Sequence, residues 1–209
     1  MSKFRSFDLF TSRNLILAND PYEDELADFD AAFPDLVTNP DRLVSLVDVA
    51  KGIKIEYAIW CLRVTPPEQA EDTKLFCRLF AGQVAMQSLH IFESDYPDDK
   101  RPRKAIEIAL SETISSATDV PYPAYTPARA AYAPARAADA ATHAARVADA
   151  DRAADAARAA ARAAYSAYAA HAADAVRAKQ KEIFLLGLLG EVNMNDINAF
   201  TPIEMKEGQ

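Results

Sequence analysis

Between Ala124 and Ala178, 30 of 55 residues are alanine. Alanine has the highest helix propensity and a side chain too small to hold neighbouring helices apart, so this composition predicts helices that approach one another closely. PARAAY at 127–132 is answered by PARAAD at 134–139. A single helix from Pro134 to Lys179 would extend about 69 Å at roughly 1.5 Å per residue, which is too long for one domain of this size. A break is therefore expected, and Asp149-Ala150-Asp151 is the place for it, because aspartate caps a following helix. The expectation is two antiparallel helices near 134–148 and 151–180.

The rest of the composition points the same way. Five glycines against twelve prolines suit helices separated by proline stops better than a sheet turning on glycine. The expected fold is all-α, a compact multi-helix bundle with alanine-rich helical hairpins in its C-terminal half. At 209 residues the chain is long enough to bury a core without disulfide or metal staples. Cys61 and Cys77 form no CxxC motif and lie in apolar, helix-like surroundings, as buried reduced thiols do.

Charge narrows the partners. With 31 acidic and 23 basic side chains the formal charge is −8, which disfavours general binding to a phosphate backbone and favours a partner with a basic surface. The opening MSKFRSFDLF carries charges too early for a secretory segment, and the longest apolar stretch, Ile183 to Gly190, is too short to span a bilayer. A cytoplasmic protein with no membrane partner is expected.

Residues 1–45 read as an acidic N-terminal arm and helix, and 46–209 as a helical domain. From Met1 to Leu17 the apolar pattern is irregular and fits either an extended arm or one short strand. Asp20-Pro21 has the form of a helix start, Asp20 as cap and Pro21 in the first turn, followed by Glu23, Asp24 and Glu25 near the positive end of the helix dipole and a stop before Pro34. Between Asn19 and Asp41 there are eight carboxylates and no lysine or arginine. Asn39-Pro40 repeats the start signal, and Leu43, Leu46, Val47, Ala50, Ile53 and Tyr57 follow helical spacing for one or two helices running to Val64. Pro66-Pro67 forces a turn. The segment from Glu71 to Glu93 is apolar nearly all round and is expected at the centre of the core. His90 and Glu93 have the spacing of metal ligands, but no second ligand pair accompanies them, so no metal is assigned. In PDDKRPRKAIEIAL a helix start is crowded with charge, and Asp98, Asp99, Arg101 and Arg103 are placed to lock one another into a fixed corner.

In the alanine-rich region, helical rotation puts Tyr132, Arg136, Asp139, His143 and Arg146 on one stripe. Asp151, Asp155, Arg158, Arg162 and Tyr165 fall on another. Both read as solvent faces laced with weak ion pairs, or as a recognition surface. Tyr168 and His171 point elsewhere, and alanine neighbours leave room beside them for a pocket.

One stretch resembles a known family. Phe92 and Glu93 end a helix; Pro97, Asp98, Asp99, Arg101, Pro102 and Arg103 make a turn; Ala105, Ile106 and Glu107 open the next helix, and alanine-rich helices follow. This succession, with YAIWCLRVTP at Tyr57–Pro66 as a preceding helix, is similar to the helical immunity proteins associated with bacterial polymorphic toxin systems. The likeness covers about residues 55 to 190. Val84 and Met86 stand where that family commonly has a cysteine and an acidic residue, and the acidic stretch before residue 45 is an addition. The resemblance implies a non-enzymatic protein that neutralises a partner by binding it, with no catalytic residues and no cofactor.

The residues themselves agree on the absence of familiar catalytic patterns: there is no glycine-rich phosphate loop, HExxH or nucleophile elbow. The leading expectation is an inhibitor of a toxin or defence effector, such as a nuclease, in bacterial self-immunity or phage counter-defence. Glu23, Asp24, Glu25 and Asp28 would supply charge, Tyr22, Phe29 and Phe33 apolar anchors, and Asp98, Asp99, Arg101 and Arg103 a second contact. A second reading is a small-ligand or metal-dependent binding protein or hydrolase using Arg101, Arg103, His143 and His171, with Tyr168 beside the pocket. A third is a scaffold or virion component.

Overall fold

The computed structural model describes residues 4–111 and 173–202, with Ala159 alone between them. The expected alanine-rich hairpins near 134–148 and 151–180 lie largely outside the described residues, as do His143, Tyr168 and His171. The described chain is mostly all-α, with one minor two-stranded sheet.

The N-terminal segment, left open between arm and strand, is both. Phe4 N–H donates to Gly190 O at 3.0 Å and Phe7 N–H to Leu188 O at 2.8 Å, which pins an extended arm along the end of the last helix. Gly190 has φ +65°, and a Cβ there would lie 2.7 Å from Phe4 O, so both conformation and space call for glycine. The arm then enters strand β1 (Phe10–Thr11), antiparallel to β2 (Val44–Ser45), with Phe10 opposite Ser45 and Thr11 opposite Val44. The Gln69 side chain clasps the arm from outside, accepting from Phe10 N–H and donating to Asp8 O, both at 2.9 Å.

Helix α1 (Arg13–Leu17) is capped by Ser12, whose hydroxyl accepts from Leu15 N–H at 3.3 Å. Helix α2 (Glu23–Ala32) starts later than the Asp20-Pro21 signal suggested, with extended Tyr22 as its N-cap. Asp20 adopts left-handed φ of 48°, whereas a capping residue must be extended, so Asp20 makes the preceding turn instead. The helix does end before Pro34, and α3 (Asp35–Thr38) follows.

Asn39-Pro40 does not begin a helix either. Asn39 closes α3, donating its N–H to Asp35 O, and the next helix, α4 (Leu46–Gly52), waits for Ser45. The Ser45 hydroxyl accepts from Asp48 N–H at 3.1 Å and donates to the Asp48 carboxylate at 2.7 Å, a reciprocal cap that Asn39 lacks. Val44 is needed in β2, and Leu43, outside the helix, is 47% exposed. Helix α5 (Ile55–Cys61) buries Ile55 and every residue from Tyr57 to Cys61 and runs on in a short 3₁₀ turn to Val64.

Helix α6 (Ala70–Asp95) has 26 residues, about 39 Å at 1.5 Å per residue, and forms the centre of the core as its composition predicts. Phe76 and Phe80 on this helix meet Phe184 edge-on at 5.3 and 5.6 Å, and Phe7 of the arm meets Phe76 at 5.3 Å. Helix α7 (Arg101–Leu110) packs on α6 where Gly82 leaves space: a Cβ on Gly82 would lie 2.7 Å from Leu110 Cδ2. Helix α8 (Ala173–Leu189) contributes Val176, Ile183, Phe184 and Leu188. One apolar cluster holds residues from Phe7 to Phe200, drawing on both sides of position 45. No helix among the described residues is long and apolar enough to cross a membrane.

Candidate functional site

The acidic segment is fixed to the core by its apolar residues, and this decides which side chains face outward. Phe29 is fully buried, 5.1 Å from the Phe33 ring and 6.0 Å from Tyr57, which stacks on Trp60. Phe29 is thus a core anchor of α2 and is not available to a partner; its burial is what holds a helix with so many carboxylates against the protein. Phe33 is half-buried against the same cluster. Of the three expected aromatic anchors only Tyr22, 68% exposed, remains outside.

The carboxylates divide into two groups. Asp30 is held by Arg13 in a bidentate pair, Nε to Oδ1 at 2.7 Å and Nη2 to Oδ2 at 2.8 Å, and the hydrogen bond raises the Arg13 pKa. Asp28 receives Lys54 at 3.4 Å, and Asp35 pairs with Arg42. Glu25 is half-buried and near enough to contribute, behind burial itself, to the raised pKa values of Tyr57 and Cys61. Asp20, Glu23 and Asp24 are exposed and make no ion pair within the described residues. Glu23 and Asp24 are in the first turn of α2, directly after its N-cap Tyr22, and Asp20 makes the turn just before it.

The α6–α7 corner is rigid but differently wired from the expectation. Arg103 reaches back to Glu93, Nε to Oε1 at 2.7 Å and Nη2 to Oε2 at 2.6 Å. Arg101 pairs with Asp99 at 2.8 and 2.6 Å, and its backbone N–H also donates to Asp99 at 3.1 Å. Both carboxylates are held below their usual pKa range, chiefly by the arginine hydrogen bonds. Asp98 stays exposed. Of the four residues expected to lock together, only Asp99 and Arg101 pair with each other; Arg103 pairs instead with Glu93, which is spaced from His90 like a metal ligand but is engaged by this guanidinium. Among the described residues no group of three histidine, cysteine or carboxylate side chains is arranged to hold a metal ion.

Cys61 and Cys77 are free, buried thiols whose pKa values burial pushes up, the condition of an unreactive structural cysteine. No protein-family model, curated protein or solved structure matches the chain. Sequence reasoning passed over one residue, Arg78, which is 5% exposed. The signal was present, because Arg78 is the single charged side chain in the otherwise apolar and neutral stretch between Leu75 and Leu89 of α6.

Proposed function

We propose that this protein is a non-enzymatic inhibitor of the immunity type, which neutralises a toxin or defence effector by docking an acidic N-terminal face on a basic surface of that partner. The observation that carries this reading is Tyr22, 68% exposed and flanked in sequence by Asp20, Glu23 and Asp24, whose exposed carboxylates make no ion pair among the described residues. A solvent-facing aromatic flanked by like charges has little to contribute to the fold. At an interface it supplies buried area at low entropic cost while the charges steer encounter. The net charge of −8 adds long-range attraction to a cationic partner. The Phe92–Arg103 turn, the stretch that carries the family resemblance, holds two arginine–carboxylate pairs, Arg103 with Glu93 and Arg101 with Asp99, and is offered as a second contact.

The test starts with the partner retained when the tagged full chain is purified from its native host, identified by mass spectrometry. Its affinity is then measured from about 0.1 M to about 1 M salt, over which the screening length falls from about 10 Å to about 3 Å. Binding should weaken with salt. The combined variant Tyr22→Ala, Glu23→Gln, Asp24→Asn should bind at least about tenfold more weakly, since an aromatic hot spot alone is worth about 2 kcal/mol. Salt-independent binding, or an unaffected triple variant, rejects the acidic face as the docking surface. Turnover of a substrate by the purified chain would reject the non-enzymatic reading.

A further inference from the structure

A cavity of about 250 Å³ lies where the N-terminal arm, the first half of α6 and the loop after α8 meet. Phe7, Leu79 and Met194 supply apolar wall, while Arg5, Arg78, Asn193 and Asn195 supply the polar part of the lining.

Arg78 is the unusual member. A guanidinium is charged at every accessible pH and offers five N–H donors, and burying it is costly unless charge and donors are both answered. Arg78 is 5% exposed, yet its one hydrogen bond runs from Nη1 to the neutral carbonyl of Ser111 at 2.6 Å. No carboxylate among the described residues pairs with it, and desolvation lowers its pKa with no opposing influence. Arg5 differs: it is neutralised by Asp72 and lies over the Phe7 ring, 5.2 Å from the centroid. Among the described residues the cavity therefore carries one uncompensated positive charge. Beside it, Asn193 spends its Oδ1 on Asn195 N–H at 3.1 Å, and its amide nitrogen has no acceptor among the described residues.

We propose that this cavity binds a small organic monocarboxylate, its carboxylate held by the Arg78 fork and the Asn193 amide and its short apolar body lying against Phe7, Leu79 and Met194. One unbalanced charge matches a monoanion better than a phosphate dianion, and the planar fork suits a carboxylate. The apolar walls require carbon beyond the head group. At roughly 30 Å³ per water-sized group, the volume holds about eight non-hydrogen atoms, the size of hexanoate. The site is built from different residues than the acidic face, so neither reading depends on the other.

Calorimetric titration and thermal unfolding of the full chain with hexanoate, hexanamide and inorganic phosphate test it. Hexanoate should bind saturably at one site and raise the melting temperature with concentration. Hexanamide, lacking the charge, should bind about tenfold or more weakly, and phosphate more weakly than hexanoate. Val192→Trp, which fills the cavity from its loop side without touching the Arg78 charge, should lose at least about tenfold in hexanoate affinity, as a blocked pocket must. Absence of saturable hexanoate binding to the unmutated protein overturns the proposal whatever the variant does. Equal affinity for the amide, tighter binding of phosphate, or unchanged hexanoate affinity in a folded Val192→Trp protein overturns it as well.

Discussion

Replacing Gln83 tests how the loop after α8 is held. Gln83 is fully buried on α6, and its Nε2 donates to Met194 O at 2.8 Å and Asp196 O at 2.7 Å. Its Oε1 is buried with no hydrogen-bond partner. Gln83→Met keeps the volume and removes both donors. Asp196 O retains the N–H of Ala199 at 3.0 Å, so the main loss is at Met194 O, a buried carbonyl left unsatisfied at about 1–3 kcal/mol. Removing the orphaned Oε1 returns part of this, and the expected net loss is about 1–2 kcal/mol. Gln83→Glu instead places a carboxylate against two carbonyl oxygens, and the cost rises to about 3–5 kcal/mol, the range for an unpaired buried charge. Urea unfolding should show the order wild type, Met variant, Glu variant in midpoint at unchanged slope. Amide exchange at Asn195, Asp196 and Ala199 should quicken in both variants. If the Met variant matches wild type in midpoint and exchange, or the Glu variant is the more stable of the two, the two hydrogen bonds do not hold the loop.

Three further outcomes follow from the fold. Glu93→Gln should cost about 1 kcal/mol at neutral pH, since the pair with Arg103 is bidentate but partly solvated. Because the folded Glu93 pKa is depressed, that contribution is present above the ordinary glutamate value of about 4.3 and is lost as pH falls through the folded value, so wild-type and variant unfolding midpoints should converge on acidification. Gly190→Ala forces a Cβ onto left-handed backbone 2.7 Å from Phe4 O; a loss of about 1–3 kcal/mol, with faster exchange at the Phe4 and Phe7 amides, is expected. Cys61 and Cys77 should resist a thiol reagent in the folded protein at mildly alkaline pH and react together once urea unfolds it; reaction of either in the native state would contradict their burial.

The sequence is most readable where one helix buries most of its circumference. The near-continuous apolar pattern of α6 places it to within a few residues, whereas the three-to-four spacing from Leu43 to Tyr57 predicts one or two helices running to Val64 without locating the break between α4 and α5. Two helix starts were misplaced because a cap signal is local and its use is decided by distant partners. Asp20 is diverted into a left-handed turn, and Asn39 closes α3 because Val44 must pair with Thr11 of the first strand. Two-residue strands leave no periodicity to read. At the α6–α7 corner a reading along the chain pairs neighbours, whereas the helix geometry returns Arg103 to Glu93, ten residues back. Phe29 looked like an anchor because it stands among carboxylates, but a helix so charged needs an inward residue to be held at all.

Helix α6 also explains why buried polar groups persist in an otherwise apolar core. Thr73, Arg78 and Gln83 are all buried on it, and each meets a neighbouring segment: Thr73 the hydroxyl of Thr65, Arg78 the carbonyl that ends α7, Gln83 the loop after α8. Apolar contacts alone would let those segments slide, since burial is non-directional, and the loop carbonyls would remain without donors. Hydrogen bonds from a rigid helix fix their register, which is the use of a buried polar residue that outweighs its desolvation. Thr73 does this with a neutral hydroxyl and Gln83 with a neutral amide. Arg78 does it with a full charge, although Ser111 O receives only a single N–H from it. That excess of charge over structural need, facing a cavity, is the reason to look there for an anion.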